Sequence, residues 1–380
     1  MSIQKCIAVI KKANKSGTID DDAAMEMLSE IDEFISGVKN ADNVEQELMQ
    51  HLQQKLSDST LAAKIEKRNK IINALAKARA RNFLDNFENP HQGIMSLLGG
   101  TLEASHKSKL SIDTQGKSLA NKYTGKLIKL LDNEHGDIRL FKKGGKYDDD
   151  IAAELWELRP GGNPGVTKNA AARRIAEAIH SVQELAVKNS NLAGSYIKSY
   201  PGYIMRQSHD MIKIRKMGED EWIDFIMPLL DKKTFKGADP KKFLQGAYRG
   251  LAAGIHRRAT GAAEDTAQHL NGFKGYANLG KKASAERLLH FKDAASFMEY
   301  NRAVGTGDLR EGIVSGLTQH AHNTALMRNL GTNPQSMLDD LVAEYRDRTV
   351  KAGNVKQSDL FKSQKIKNLY QELDGSARMI

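Results

Sequence analysis

Apolar residues recur along most of this chain with the three- and four-residue spacing of amphipathic helices. Near the N-terminus, Ala24, Leu28, Ile31, Ile35 and Val38 follow one another at intervals of four, three, four and three residues. This spacing places all of them on one side of a helix. No convincing series of segments shows the strict alternation of apolar and polar residues that half-buried strands require. The pattern therefore predicts a mainly α protein.

Three regions follow from where the helical pattern is strong and where it is interrupted. Residues 1–92 are expected to form an N-terminal helical hairpin or coiled-coil-like unit that closes at Asn89-Pro90. Residues 93–147 are rich in Gly, Ser, Thr and Lys, which predicts a loosely structured connection with one helix, Lys117 to Leu131, and room for a small hairpin near Ile138–Phe141. Residues 148–380 resume as a C-terminal helical domain. The expected architecture is multi-helix bundle units joined by Gly-rich loops, with at most one small β-hairpin.

Composition narrows the classes of protein to which the chain can belong. Its 380 residues include 57 Lys+Arg against 47 Asp+Glu, a formal net charge of +10. A single cysteine excludes an intrachain disulfide framework and a Cys-rich zinc site. No apolar run approaches the roughly 18 residues of a membrane span, and the N-terminus lacks the pattern of a secretory signal. We therefore expect neither an integral membrane protein nor a disulfide-rich secreted one.

Clustered basic residues are the most informative feature. One predicted helix has Glu66 as its only acidic residue between Leu61 and Asn82. Such a helix suits a phosphate backbone or an acidic protein groove, although a solvated face is an equally good explanation. Aromatic residues make up only 6% of the chain, which argues against a stacking platform for single strands. The candidate phosphate contacts, without base-specific reading, are Lys64, Lys67, Arg68, Lys70, Lys77, Arg79 and Arg81, followed by Arg257 and Arg258.

Motifs for cofactors and metals are weak. Gln115-Gly-Lys-Ser118 matches the end of a phosphate-binding loop, but Ser111 stands where the first glycine belongs and no apolar strand precedes it. His320 and His322 are the closest pair of histidines, and two residues apart on a helix they point about 200° away from each other. They cannot chelate one ion as a pair four residues apart would. The sequence predicts no cofactor and no metal.

One arrangement leaves an enzymatic alternative open. His209 and Asp210 could form a general-base dyad, since a carboxylate can orient an imidazole, and the Tyr200 to Tyr203 turn would then line the site. No nucleophile motif accompanies them, and adjacent residues rarely make this contact. A polar turn is the favoured interpretation.

Two blocks of the sequence are similar to proteins of tailed phages. Asp148 to Asp231 contains DDDIAAELWELRPGGNPGVTKNAAARRIAEAI and YIKSYPGYIMRQSHDMIKI. It resembles a helical region of the internal virion or DNA-ejection proteins of short-tailed bacteriophages and of phage large polyvalent proteins. Ala283 to Pro334, with LHFKDAASFMEYNRAVGTGDL, resembles a second stretch of the same proteins. Together the blocks cover just over a third of the chain.

The resemblance implies a multimeric helical protein inside the capsid, near the portal, that leaves with the genome. Its expected partners are the portal protein, other ejection proteins, packaged double-stranded DNA and the host envelope or periplasm after ejection. Some ejection proteins carry a lytic transglycosylase domain, but no such domain is recognisable here, and the family supplies no catalytic residue to transfer. We therefore expect a non-enzymatic protein. The alternatives are a phage-delivered enzyme such as a peptidoglycan-cleaving activity, and a cytoplasmic non-specific DNA-binding protein.

Overall fold

The computed structural model is helical, and no strand occurs in the part of the chain that it describes. Leu230 and Phe291 form one isolated antiparallel bridge. These observations confirm the prediction of a mainly α fold. The described residues are 3–19, 21, 24–25, 27–29, 44–100, 111–143, 147–159, 161–197, 209–235, 239–252, 279, 289–305, 308–351 and 358–373.

The α-helices are numbered here in chain order. They are α1 (Ile3–Lys15), α2 (Val44–Leu84), α3 (Pro90–Leu98), α4 (Ile112–Leu131), α5 (Asp137–Lys143), α6 (Asp148–Glu157), α7 (Ala170–Ala193), α8 (Met211–Met217), α9 (Glu219–Ile226), α10 (Pro240–Ala252), α11 (Ala294–Val304), α12 (Leu309–Leu330), α13 (Pro334–Lys351) and α14 (Ser358–Leu373). Two short 3₁₀-helices, Met227–Leu229 and Lys232–Phe235, lie between α9 and α10.

The chain divides into two compact units, Met1–Ile72 and Asn73–Ile380, and the division falls inside α2. The first unit has a small core of four buried residues, Ile10, Ile19, Ala24 and Met27. The described residues of the amphipathic stripe that the sequence predicts from Ala24 onwards are helical. Ile31, Ile35 and Val38 lie outside the described residues.

The second unit is built around three helices that lie side by side, α4, α7 and α12. Leu127, Ile179 and Leu317, one from each helix, are buried in the main core of this unit. Polar pairs also join the helices: the side-chain amides of Gln115 and Asn329 bond to each other at 3.1 and 3.3 Å. Because buried polar groups must find partners, such pairs fix the register between neighbouring helices as well as their separation.

A second core lies where the end of α2 and the whole of α3 meet the C-terminal helices. Leu84, Leu98, Leu330, Leu341 and Tyr370 are all buried in it. The turn between α2 and α3 contains the Asn-Pro pair that the sequence marks as a helix boundary. Asn89 is the N-cap of α3, since its side-chain oxygen accepts hydrogen bonds from the backbone N–H groups of His91 and Gln92. Pro90 occupies the first helical position.

Residues 93–147 contain more helix than their composition predicts. α4 has 20 residues, about five and a half turns, and it contains the helix that the sequence predicts from Lys117 to Leu131 but begins five residues earlier. Ile138–Phe141, where the sequence left room for a small hairpin, is helical in α5. Two of the glycines explain part of the difference, because they serve close packing. A Cβ on Gly116 would lie 2.7 Å from a ring carbon of His322, and a Cβ on Gly93 would lie 3.1 Å from a side-chain carbon of Leu84. At these two positions glycine therefore allows close contact between neighbouring segments rather than flexibility.

A buried ion pair fixes the turn that follows α4. The Asp137 side chain is fully buried and accepts two hydrogen bonds from the Arg174 guanidinium, at 2.7 and 2.8 Å, and one from Asn133 at 2.9 Å. The hydrogen bond from Arg174 holds the pKa of Asp137 below its usual range, and burial opposes this effect more weakly. This bidentate contact ties the start of α5 to α7.

A second buried carboxylate shapes the loop before α7. Glu154 accepts hydrogen bonds from the backbone N–H of Gly165 at 2.6 Å, and from the N–H and hydroxyl of Thr167 at 2.9 and 2.6 Å. Burial raises the pKa of Glu154, but these bonds outweigh burial and lower it. The loop then delivers Asn169, whose side chain caps α7 by accepting from the Ala172 N–H.

Candidate nucleic-acid interface

The basic stretch of α2 comprises Lys64, Lys67, Arg68, Lys70, Lys77, Arg79 and Arg81. In the N-terminal unit, Lys64 and Lys67 are exposed and have no carboxylate within ion-pair distance among the described residues. Lys70 pairs with Glu66 one turn earlier, at 2.9 Å, and both side chains are largely exposed. Arg68 is half-buried and has an interaction partner. Of these four candidates for phosphate contact, Lys64 and Lys67 are the ones without a described interaction partner.

In the second unit, the same stretch of α2 faces carboxylates of α13. Both Nε and Nη2 of Arg81 donate to one carboxylate oxygen of Glu344, at 3.0 and 2.7 Å. The Lys77 ammonium lies 3.7 Å from the Asp340 carboxylate. Arg79 is exposed, and its Nε donates to the carbonyl of Leu75 in its own helix. Lys77 and Arg81 therefore join α2 to α13, which the sequence could not reveal because these partners lie more than 250 residues further along the chain.

Arg257 and Arg258, the second group of predicted phosphate contacts, lie outside the described residues. The Tyr200 to Tyr203 turn of the enzymatic alternative also lies outside them. α10, which precedes the two arginines, is described as far as Ala252.

His209 and Asp210 are among the described residues, and the side chain of each makes hydrogen bonds within the fold. Asp210 is the N-cap of α8: one carboxylate oxygen accepts from the N–H groups of Ile212 and Lys213 at 2.9 and 3.1 Å. His209 is buried, and its Nδ1 shares a 2.8 Å hydrogen bond with the Tyr300 hydroxyl. Burial raises the pKa of Tyr300, so this phenol stays protonated. The geometry favours a cap and a buried polar pair over a catalytic dyad.

The two histidines of α12 do not converge on a common site. The His322 ring lies against Gly116 of α4, and its Nδ1 bonds to the Thr318 carbonyl at 2.9 Å. His320 contributes its backbone carbonyl to the Thr324 hydroxyl at 2.7 Å. In the described ranges, no three His, Cys, Asp or Glu side chains are grouped as metal ligands would be. No described helix is long and apolar enough to cross a bilayer.

The structure also contains basic residues that the sequence analysis did not single out. Lys122, Lys126 and Lys129 follow one another on the outer side of α4, and Lys122 and Lys129 are exposed. The sequence does carry a signal for them, because α4 has four lysines and only one acidic residue, Asp113. That signal was hidden by the larger number of cations on α2 and by the glycine-rich composition of this region.

Comparison with known proteins adds no further constraint. No protein-family model, no curated protein and no solved structure matches this chain.

Proposed function

We propose that this chain is a non-enzymatic internal virion protein of a tailed phage, a multimeric helical component of the apparatus that delivers the genome through the portal and across the host envelope. In this role it contacts packaged double-stranded DNA without reading its sequence. Its partners are the portal protein and the other ejection proteins, and it meets the host envelope or periplasm after ejection.

The observation that carries the DNA contact is a set of lysines that the fold leaves free of carboxylate partners. Lys64 and Lys67 on α2 are exposed, and no described carboxylate lies within 4.0 Å of either ammonium group. The whole chain carries a formal net charge of +10. Duplex DNA carries about one negative charge per 1.7 Å of its axis, so exposed lysines gain binding free energy by releasing condensed counterions. This contact needs no base recognition.

The setting in a virion is supported by the two sequence blocks that resemble ejection proteins. The described parts of both blocks are helical, with α6 to α9 in the first and α11 and α12 in the second. A mainly helical fold is what the resemblance leads one to expect.

The test is quantitative mass spectrometry on purified particles of the phage that encodes the chain. Full particles are separated from particles that have released their DNA, and the chain is counted relative to the major capsid protein in each. We expect several copies per full particle and a loss from emptied ones. Absence from full particles would reject the proposal and favour a cytoplasmic DNA-binding protein. Equal amounts in full and emptied particles would show a structural component that is not ejected.

A zymogram on cell-wall material addresses the enzymatic alternative. The purified full chain is compared with a variant in which His209 and Asp210 are replaced by Gln and Asn. We expect no clearing with either protein. Clearing by the wild-type chain would reject the non-enzymatic proposal, and loss of clearing in a double variant that circular dichroism shows to be folded would assign the activity to His209 and Asp210.

A further inference from the structure

The outer side of α4 has a geometry that α2 does not share. At 3.6 residues per turn, Lys122, Lys126 and Lys129 lie within an arc of about 60° around the helix axis and span about 10 Å along it. The opposite side of α4 is buried against α7 and α12, through Tyr123 and Leu127. The backbone that carries the lysines is therefore held rigidly by the core of the unit, and the lysines face away from it.

This side of α4 is free of negative charge over most of its length. Between Asp113 and Asp132 the sequence contains no acidic residue. Asp113 itself is paired with Lys117 at 2.6 Å, one turn before the three lysines. No ion pair or hydrogen bond joins the side chain of Lys122, Lys126 or Lys129 to another described residue. The exposed polar residues just before Lys122, Ser118 and Asn121, are neutral hydrogen-bonding groups.

A glycine in the middle of this side has no packing reason within the described structure. Gly125 is exposed, and a Cβ built on it meets nothing within 4 Å. An exposed glycine in a helix interior costs about 1 kcal/mol relative to alanine. Gly116 of the same helix, in contrast, lies against the His322 ring. Gly125 leaves the backbone open between Lys122 and Lys129, where a bound polyanion can approach closely.

The chemistry of this surface selects its partner. Exposed aromatic rings are missing from it, since Tyr123 is buried, and single-stranded nucleic acid would need such rings for base stacking. Ile128 and Leu130 are partly exposed, but they lie on opposite edges of the lysine arc and form no continuous apolar strip of the kind that enters a bilayer. A regularly spaced row of phosphates satisfies all three lysines at once.

We propose that this side of α4, defined by Lys122, Lys126 and Lys129 around Gly125, is a docking surface for the phosphate backbone of duplex DNA. The inference rests on the proposed function only in taking duplex DNA as the polyanion. It assigns the contact to a rigid helix of the second unit. The contact is independent of base sequence, because lysines that bind the phosphate backbone of DNA respond only to the charge and spacing of the phosphates.

The test compares two full-length variants that remove the same charge from different surfaces. The first is Lys122→Gln/Lys126→Gln/Lys129→Gln. The control is Lys232→Gln/Lys241→Gln/Lys242→Gln, which replaces three exposed lysines elsewhere in the same unit. Binding to a fluorescent duplex of random sequence is measured by anisotropy between about 50 and 200 mM salt. Circular dichroism and thermal melting establish that both variants are folded.

For the α4 variant we expect affinity to fall at least about tenfold and the slope of log K against log salt to become shallower by about 2.7, or 0.9 for each of three phosphate contacts. The control should change the slope much less. Equal effects of the two variants would overturn the inference, because binding would then follow net charge rather than the α4 surface. So would failure of the wild-type chain to bind duplex DNA.

A third measurement replaces DNA with vesicles that contain phosphatidylserine. If the α4 variant lost binding to vesicles but not to DNA, the surface would be a lipid contact and the inference would be wrong. The particle analysis described above is independent of these assays. If the chain binds DNA through α4 but is absent from virions, this inference holds and the proposed function is rejected. If the chain is present in full virions but the α4 variant binds DNA as well as the control does, the proposed function holds and this inference is rejected.

Discussion

The basic stretch of α2 and the lysine side of α4 show how differently two sets of cations can be used in one chain. α2 has the higher density of basic residues, yet within the second unit Lys77 and Arg81 are bound to Asp340 and Glu344. α4 has fewer cations, yet three of its lysines face away from the core and contact no described carboxylate. The density of charge along a sequence therefore does not measure the charge that a partner can reach.

The physical reason is that pairing depends on tertiary contacts. Arg81 and Glu344 are 263 residues apart and meet because α2 and α13 pack into the same core. An arginine held by two hydrogen bonds to a carboxylate gives up part of that contact before it can bind a phosphate. The lysines of α4 have no such competitor in the described structure. Paired cations should therefore matter for stability, and free ones for binding.

The largest effect on stability should come from the pair with the fully buried carboxylate. Replacing Asp137 with Asn leaves the Arg174 guanidinium without its charged partner and should lower the free energy of unfolding by about 2 kcal/mol, less than for a fully buried pair because the Arg174 side chain is 35% exposed. The control is Asp132→Asn, at the exposed C-terminal end of α4, which should change it by less than about 0.5 kcal/mol. Urea unfolding at neutral pH measures both. A loss in Asp137→Asn no greater than in the control would show that this pair contributes no net stability.

The same pair predicts a pH dependence. Because the pKa of Asp137 is lower in the folded chain than its ordinary value of 3.8, its contribution is fully present above about pH 4 and is lost as the pH falls further. The difference between wild type and Asp137→Asn should therefore narrow below pH 4. Urea unfolding from pH 7 down to pH 3 follows it. If the difference in the free energy of unfolding between wild type and Asp137→Asn stayed constant from pH 7 to pH 3, the lowered pKa of Asp137 would be contradicted.

Buried residues also show which features of the fold the sequence could and could not predict. Helical periodicity was sufficient for the mainly α class and for helices such as α12, where Leu309, Ile313 and Leu317 are buried as their spacing requires. It did not predict that Gly116 would serve a close contact with His322, because local composition cannot distinguish a packed glycine from a flexible one. The ion pair of Arg81 could not be predicted from sequence, because its partner Glu344 lies 263 residues further along the chain.

The two glycines of α4 provide a second contrast. Gly125→Ala should raise the free energy of unfolding by about 1 kcal/mol, because it adds helix propensity where a Cβ meets open space. Gly116→Ala should lower it by about 1 to 2 kcal/mol, because its Cβ would lie 2.7 Å from the His322 ring. Thermal melting of both variants gives the signs. If Gly125→Ala were destabilising, Gly125 would have a structural role and the open-backbone argument for α4 would weaken.

The link between α2 and α13 should have a smaller effect. A double-mutant cycle of Arg81→Met and Glu344→Gln should give a coupling free energy of about 0.5 to 1 kcal/mol, the range of partly exposed ion pairs. This coupling should shrink in high salt, since both side chains reach solvent. Urea unfolding of the four proteins measures it. A coupling near zero would mean that Arg81 is effectively free, and α2 would then compete with α4 as a phosphate-binding surface.

The smallest expected change in stability belongs to the surface with the largest expected role in binding. Lys122→Gln/Lys126→Gln/Lys129→Gln keeps good helix-forming residues at all three positions and removes no side-chain hydrogen bond or ion pair with a described residue. The free energy of unfolding should therefore change by less than about 0.5 kcal/mol, and relief of repulsion between the lysines favours a slight gain. Urea unfolding at low and high salt separates these contributions. A loss of more than about 1 kcal/mol would indicate that the lysines support the fold. In that case their effect on DNA binding could no longer be attributed to direct phosphate contact, whereas a neutral variant with weakened binding would distinguish the two uses of charge in this chain.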